Sequence, residues 1–356
     1  MRSFEEQRLE HFGEAIDAYM TADVQARGII KPIYDVMLQK LGRPLSTFAA
    51  QGLVKALEKP NQVVFIGTGF LIRPTLNPET DGPIAAVLMA RAVGLLGGIP
   101  VIVAEKECMG VLTVACRAGE MSLCKTLEEA RVVPMSVLLV TMPPCGRKNE
   151  AETVIQRLLE IQPAAMVSIE HPGKADDGRY YSGLGYELTD WPGPVDDLLE
   201  KVREAGGFTV GIGDLGNEAG MGFARPEIHK LIPYGDHIVV KSTCDAPIIA
   251  VASEFGAYAV LAAMTFISGK QVLPAPELVE IVLRASVMSG AICGCGGAPT
   301  PSIDMIDISY IRSYVHMLQC VVEYSEKYSS SRPFYIDYRR GAPIAEPGGC
   351  KGGHAR

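Results

Sequence analysis

The sequence contains no CxxC pair, although nine cysteines are scattered among its 356 residues. The count is odd and the spacings are irregular, so both a disulfide framework and a zinc knuckle are disfavoured. Reduced thiols are typical of the cytoplasm, where structural disulfides are rare. We therefore predict a cytoplasmic protein with free thiols.

Basic charge is also scarce, because 33 Lys and Arg stand against 41 Asp and Glu, which gives a formal net charge of −8. This balance disfavours nucleic-acid binding, which depends on a surplus of basic residues. Arg91 and Glu254 interrupt the two most apolar windows, so a membrane span is not expected. The acidic first twenty residues do not predict a signal or transit peptide.

Short apolar runs alternate with helical patterns from residue 62 onward. The predicted strands are QVVFIGT, IPVIVAE, SVLLVTM, AAMVSIE, FTVGIGD and DHIVVKS. Helices are predicted between several of them, in PIAAVLMARAVGLLG, NEAETVIQRLLEIQ and PVDDLLEKVREAG. Strands that are apolar on both faces and alternate with helices are typical of a three-layer α/β fold, with a mostly parallel sheet covered on both faces.

The ends of the chain differ from this central part. Residues 1–58 have helical spacing, and Ser46 is a candidate N-cap for the helix in PLSTFAAQGLVKALEK. We predict a helical prefix (1–58) packed on one α/β domain (59–330), followed by a flexible Gly/Pro-rich tail (331–356). The apolar helices beyond residue 250 could either pack on the sheet or form a homo-oligomer interface.

Four polar loops follow predicted strands, at 67–83, 169–185, 211–222 and 241–247. In an open parallel sheet, ligands bind beyond the carboxyl ends of the strands. The four loops are therefore expected to share one edge of the sheet and to carry the functional site.

The loop 211–222, GIGDLGNEAGMG, matches the dinucleotide pattern GxGxxG at its first three glycines. Asp214 and Glu218 lie inside the loop and would repel a phosphate, so no nucleotide cofactor is expected. Asp214, Asn217 and Glu218 are instead oxygen donors of the kind that Mg²⁺ or Mn²⁺ accepts. A glycine turn with solvated acids is the alternative interpretation.

The other loops offer weaker signals. Thr80 or Asp81 could cap a helix that begins near Pro83, or could face a substrate carboxylate together with Gly82. Arg73 and Arg179 are candidate partners for a substrate carboxylate. A structural role is favoured for the lone His171. The two cysteines of CGCGGAP (293–299) lack partners for zinc or nucleophilic chemistry.

Taken together, these loops resemble the D-glutamate cyclase family over about residues 26–300. The matching segments are ARGIIKPIYD (26–35), GTGF (67–70), ETDGP (79–83), GRYY (178–181), GIGDLGNEAGMG (211–222) and FGAYAV (255–260). The resemblance implies a lyase that acts on a small molecule. The α-amine of D-glutamate attacks its side-chain carboxyl, water leaves, and 5-oxo-D-proline forms.

This chemistry needs a base for the amine, and a divalent cation or hydrogen-bond donors to activate the carboxyl. We expect catalytic roles for Asp214, Glu218 and Glu170, and a possible cation at Asp214, Asn217 and Glu218. The expected substrate-binding residues are Thr68, Gly69, Thr80, Asp81, Gly82, Arg179 and Asn217.

The sequence departs from the family pattern at 183–185, 253–256 and 293–297. The first segment, GLG, lacks an arginine; the second has Glu254 in place of an asparagine; and the third has GCGG in place of an Asp-Gly turn. A lost arginine and an added acid would weaken binding of a dicarboxylate-like substrate. A hydrolase that opens a small cyclic amide is therefore the alternative enzyme, and a dehydrogenase or a non-catalytic binding protein are further competing hypotheses.

Overall fold

The computed structural model of the protein describes residues 4–328. The predicted tail at 331–356 lies outside the described residues. Eleven strands occur in the described part of the chain: β1 (Val63–Thr68), β2 (Leu71–Ile72), β3 (Asn77–Pro78), β4 (Ile99–Ala104), β5 (Ser122–Cys124), β6 (Ser136–Thr141), β7 (Ala165–Ile169), β8 (Phe208–Gly213), β9 (Ala246–Ile249), β10 (Ser302–Ile303) and β11 (Ile306–Asp307).

Seven of these strands form one parallel sheet in the order β5-β6-β4-β1-β7-β8-β9. In the central strand β1, Phe65 is in register with Val101 of β4 and with Met166 of β7. The remaining strands pair as two small antiparallel hairpins, β2-β3 and β10-β11.

Helices cover both faces of the sheet. The helices of residues 4–328 are α1 (Phe4–Met20), α2 (Ile30–Leu41), α3 (Leu45–Ala56), α4 (Pro83–Leu95), α5 (Met109–Ala118), α6 (Leu127–Val132), α7 (Lys148–Glu160), α8 (Val195–Glu204), α9 (Arg225–Ile228), α10 (Gly235–Ile238), α11 (Ser253–Ser268), α12 (Pro276–Met288) and α13 (Ile308–Tyr328). None of them combines the length and hydropathy needed to cross a membrane.

The side chains of β1 alternate between two hydrophobic cores. Val64 and Ile66 belong to a large core, whereas Val63 and Phe65 belong to a smaller one. Successive side chains of a strand point to opposite faces, so the two cores lie on the two faces of the sheet. The predicted three-layer α/β fold is confirmed.

The prediction of a strand in DHIVVKS (236–242) is wrong. Part of that segment belongs to α10, and the last strand of the sheet is β9. Val239 and Val240 are buried in the large core without pairing as a strand. As a result, loop 241–247 leads into β9 and does not follow a strand at the carboxyl edge.

The capping role predicted for Ser46 is also wrong, because α3 begins at Leu45 with Pro44 at its cap position. The carboxylate of Asp17 in α1 serves this helix instead. Its oxygens accept the backbone N–H groups of Leu45 at 2.6 Å and Ser46 at 3.1 Å. Donors that begin a helix lack partners within the helix, so a carboxylate from another helix can satisfy them.

The helical prefix packs against α11. Phe12 of α1 stacks on Phe266 of α11, with ring centroids 4.1 Å apart, and Met20 accepts a backbone hydrogen bond from Val251 at 3.0 Å. These contacts bring the segment between α1 and α2 to the carboxyl edge of the sheet, where β9 ends.

Strand order reverses between β1 and β7. From β1 the chain continues to β4, β5 and β6 on one side, and then returns to β7, β8 and β9 on the other side. The loops that leave adjacent strands on either side of such a point separate and open a crevice. Loops 67–83, 169–185 and 211–222 all leave the sheet at this edge.

Candidate active site

Asp214 is the first residue after β8 and is buried, with 7% of its surface exposed. The preceding residue, Gly213, lies against the carboxyl group of Glu218. A Cβ atom on Gly213 would come within 2.4 Å of Glu218 Oε2, so a larger residue would displace this acid. Glu218 Oε2 also accepts the N–H of Gly216 at 2.7 Å. The glycines of this loop therefore let Glu218 fold back beside Asp214.

Two groups of carboxyls share Asp214. Asp214 meets Glu170 and Glu218 in one group, and Asp81 and Asp304 in the other; within each group one oxygen per residue lies within 4.8 Å of the others. We call these five residues, with the adjacent Glu79, the acidic cluster. Its members come from the segment between β3 and α4, from the loops after β7 and β8, and from the turn between β10 and β11.

Glu170 directly follows β7 and has a left-handed conformation, with φ of 44°. Non-glycine residues seldom adopt this conformation unless the surrounding structure imposes it, and such residues concentrate at functional sites. The Glu170 carboxylate accepts a hydrogen bond from the Ser253 hydroxyl at 2.5 Å. This bond joins the loop after β7 to the start of α11.

Gly82 and Thr68 line the space beside Glu170. Gly82 has φ of 95°, and a Cβ atom there would lie 2.8 Å from both Thr68 Oγ1 and Glu170 Cβ. Thr68 is fully buried, and its Oγ1 finds no hydrogen-bond partner within residues 4–328. A buried hydroxyl is usually paired, so this oxygen is available to a bound ligand.

The predicted capping of α4 by Thr80 or Asp81 is wrong, because Gly82 is the cap residue and both predicted side chains bond elsewhere. Asp81 instead binds the start of α11, where it accepts the N–H groups of Ser253 at 2.9 Å and Glu254 at 2.7 Å. The Glu254 carboxylate in turn accepts the N–H of Ala85 in α4 at 2.6 Å.

Arg27, from the segment between α1 and α2, contacts the acidic cluster and was not among the predicted site residues. Its Nη1 donates to Asp214 Oδ2 at 2.5 Å and to the Val251 carbonyl at 3.2 Å. Within the described residues, no other Lys or Arg forms an ion pair with the acidic cluster. Burial alone would lower the pKa of Arg27, but the charge of Asp214 outweighs it and raises that pKa, so the guanidinium stays charged.

Burial raises the pKa values of five acids in the acidic cluster. Together with the charge of Asp214, it raises the pKa of Glu218 to about 8 and that of Asp304 to about 7. Burial and neighbouring acids hold the pKa well above its ordinary value at Glu79, Asp81 and Glu170. The cluster therefore holds protonated carboxyls near neutral pH, as general acid–base chemistry requires.

The side chains of two predicted substrate-binding residues, Arg179 and Asn217, make hydrogen bonds to residues outside the acidic cluster. Arg179 is not brought to the cluster, since its side chain is 56% exposed and pairs with Glu187 at 3.1 Å. The Asn217 side-chain amide donates to the Tyr181 carbonyl at 3.1 Å, and so fixes the loop beside Asp214. Neither contact directs the predicted side chain toward Glu170.

Two predicted site residues of loop 67–83, Thr80 and Gly69, contact different parts of the structure. The Thr80 hydroxyl donates to the Ser302 carbonyl at 2.7 Å, and so fastens the β10-β11 hairpin that carries Asp304. Gly69 faces away from this hairpin, because a Cβ atom there would lie 2.8 Å from Glu105 Oε2 and 2.9 Å from Cys108 Sγ. The sequence does not distinguish these two environments.

His171 has the kind of contacts expected of a structural residue. It is fully buried, and its ring nitrogens lie 2.9 Å from the Pro172 carbonyl and 2.8 Å from Glu105 Oε1. Burial works against a charged imidazole, but the neighbouring Glu105 outweighs it and raises the pKa of His171. The pair links the segments that follow β4 and β7.

Comparison with known proteins identifies the family. The model of the family described as "D-glutamate cyclase-like, C-terminal" matches residues 16–319. This chain belongs to that family. Human mitochondrial D-glutamate cyclase is 28% identical to this D-glutamate cyclase-like chain over 207 residues, which cover 56% of the chain and 32% of the human protein.

The family match spans the site residues that sequence reasoning missed in this D-glutamate cyclase-like chain. Arg27 lies within the quoted segment ARGIIKPIYD and Glu79 within ETDGP, so family resemblance was the available signal for both. Asp304 follows the last quoted segment by more than forty residues, and no local pattern marks it as a partner of Asp214.

Proposed function

We propose that this chain closes an amino acid to a lactam, converting D-glutamate to 5-oxo-D-proline and water as a hydro-lyase. The observation that carries this proposal is the convergence of Glu170, Asp214 and Glu218 at the carboxyl edge of the sheet. A substrate ammonium group suits a buried group of carboxyls, and confinement brings the amine toward the carboxyl that it attacks.

The reaction needs groups that both accept and donate protons. An N–C bond forms and a C–O bond breaks, while two protons leave the nitrogen and reach the departing oxygen as water. In the proposal, an ionised carboxyl among Asp214, Glu218 and Glu170 takes the first proton from the nitrogen, and a protonated neighbour donates a proton to the leaving oxygen of the substrate. The second nitrogen proton restores that neighbour, and the first carboxyl passes its own proton to the departing hydroxide, so water leaves and the carboxyls return to their original state.

A divalent cation is a further part of the proposal. Asp81, Asp214 and Asp304 offer the carboxylate oxygens that Mg²⁺ or Mn²⁺ accepts. Glu79 Oε1 lacks a hydrogen-bond partner in the described range, and Glu79 interacts electrostatically with all three aspartates, so it offers an additional oxygen. When bound, such a cation would polarise the carboxyl that is attacked.

The experiment is proton NMR of the purified enzyme with D-glutamate, L-glutamate, 5-oxo-D-proline and hydantoin, each with Mn²⁺ or with EDTA. We expect D-glutamate to yield 5-oxoproline, and L-glutamate to react more slowly. Turnover of only the cyclic amides would replace the cyclase with the hydrolase alternative. No conversion of any of them would reject both activities.

A further inference from the structure

The backbone around Arg27 is held in a fixed conformation. The Asp23 carboxylate accepts the N–H of Arg27 at 2.9 Å and that of Gly28 at 2.6 Å. Ala26, the residue before Arg27, has φ of 54°, a left-handed conformation that non-glycine residues seldom adopt unless the surrounding structure imposes it. Gln25 also donates to the Asp304 carbonyl. These contacts position the arginine before any ligand binds.

The guanidinium of Arg27 is anchored through one of its three nitrogens. Both of its side-chain hydrogen bonds to described residues use Nη1, and the side chain remains 25% exposed. Nε and Nη2 therefore make no hydrogen bond within residues 4–328. Two parallel N–H donors on one edge of a guanidinium match the two oxygens of a carboxylate.

The charge around Arg27 restricts where a substrate carboxylate can bind. Asp214, Asp304 and Glu218 all act on Arg27 electrostatically, and these acids would repel an anion placed among them. Arg179 is exposed and pairs with Glu187, and segment 183–185 lacks an arginine. Glu254, the added acid, binds Ala85 N–H and does not oppose Arg27 directly.

We propose that the Nε–Nη2 edge of Arg27 forms a carboxylate subsite, which binds the substrate carboxylate that ring closure leaves intact. This inference rests on the proposed lactam-forming function and narrows its substrate class. The substrate must carry a second carboxylate on the carbon that bears the reacting amine. An ω-amino acid without that carboxylate, such as 4-aminobutyrate, is therefore a poor substrate.

The test compares D-glutamate with 4-aminobutyrate, which would close to 2-pyrrolidinone, in the wild type and in Arg27→Gln. A lost charge-assisted pair should raise KM for D-glutamate by about tenfold or more, and should reduce the preference over 4-aminobutyrate by a similar factor. Arg27→Lys keeps the charge without the fork and should recover part of the loss. Arg203→Gln removes another Arg–Asp pair, to Asp245, and serves as the matched control.

Calorimetric binding of 5-oxo-D-proline separates this inference from the proposed function. Suppose that the wild type binds 5-oxo-D-proline but converts none of the tested substrates. If Arg27→Gln then loses this binding and Arg203→Gln keeps it, the subsite stands and the cyclase proposal fails. The subsite would be overturned if Arg27→Gln lost the same activity on D-glutamate and on 4-aminobutyrate, or if its KM for D-glutamate were unchanged. It would also be overturned if the wild type did not bind 5-oxo-D-proline. Circular dichroism establishes that each variant is folded.

Discussion

Asp81 and Glu254 each bind the first turn of the other's helix. Asp81, which precedes α4, accepts the N–H of Glu254 at 2.7 Å, and Glu254, in the first turn of α11, accepts the N–H of Ala85 at 2.6 Å. The first N–H groups of a helix lack partners within the helix, so this exchange satisfies donors at both helix ends. The two residues thereby fix the helix starts that flank the acidic cluster.

Replacing Glu254 tests this exchange. Burial raises the pKa of Glu254 to about 8, so the side chain is largely protonated near neutral pH, and glutamine is its close mimic. Glu254→Gln should keep the bond to Ala85 and change the free energy of unfolding little. Glu254→Ala leaves a buried N–H unpaired and should lower it by about 1–3 kcal/mol. Urea unfolding of both variants measures the difference, and equal stabilities would contradict the capping role.

Gly82→Ala tests the crowding beside Thr68 and Glu170. An alanine Cβ would lie 2.8 Å from both side chains, in addition to the strain at φ of 95°. Gly97 has φ of 90° and nothing within 4 Å of its Cβ position, so Gly97→Ala carries the backbone strain alone. We expect Gly97→Ala to cost about 1–3 kcal/mol and retain turnover. Gly82→Ala should be less stable and lose activity, and equal effects would contradict the account.

The correctly predicted strands share one physical feature. β1, β4, β6, β7 and β8 are apolar runs that meet helices or neighbouring strands on every side, so their hydrophobicity reports their position directly. The segment 236–242 has a similar apolar run, but packing satisfies it without strand pairing. The true edge strand β9 contains Pro247, which an edge tolerates because one side of the strand needs no N–H donor.

The sequence predicts a site residue only where that residue directly follows a strand of the sheet. Asp214 and Glu170 directly follow strands, so the rule for carboxyl edges places them together. Arg27 and Asp304 come from a helix connection and from a small hairpin, and only tertiary packing brings them to Asp214. Arg179 has the same local polarity as a site residue, but its nearest acid is Glu187 on the surface.

Asp17 should make stability depend on pH. Burial raises its folded-state pKa from 3.8 to about 6, despite hydrogen bonds that favour the ionised form. Between these values the folded protein retains a proton that the unfolded chain has released. The contribution of Asp17 to the free energy of unfolding therefore falls by about 2 kcal/mol as pH rises from about 4 to about 7.

The Asp17→Asn variant isolates this contribution, because it lacks the titrating group but shares the others. Urea unfolding across the same pH range should show the wild type losing stability relative to the variant as pH rises. A constant difference between the two proteins would contradict the raised pKa.

A titration with Mn²⁺ tests the proposed cation site, with free Mn²⁺ measured by electron paramagnetic resonance at each step. Removing one of three carboxylate ligands in Asp304→Asn should weaken binding by about tenfold or more. Asp307→Asn is the matched control, because Asp307 is exposed in the same hairpin and accepts the N–H of Ser309. Equal affinity in Asp304→Asn and wild type would contradict the site.

The most direct test of the acidic centre is the rate of 5-oxoproline formation from D-glutamate by Asp214→Asn and Glu218→Gln, measured beside the wild type. Loss of a general acid or base should lower kcat by about 100-fold or more. Each variant removes a carboxyl from a crowded, buried group of acids, so we expect both to remain folded. If both folded variants retain wild-type turnover, the acidic cluster is not the active centre.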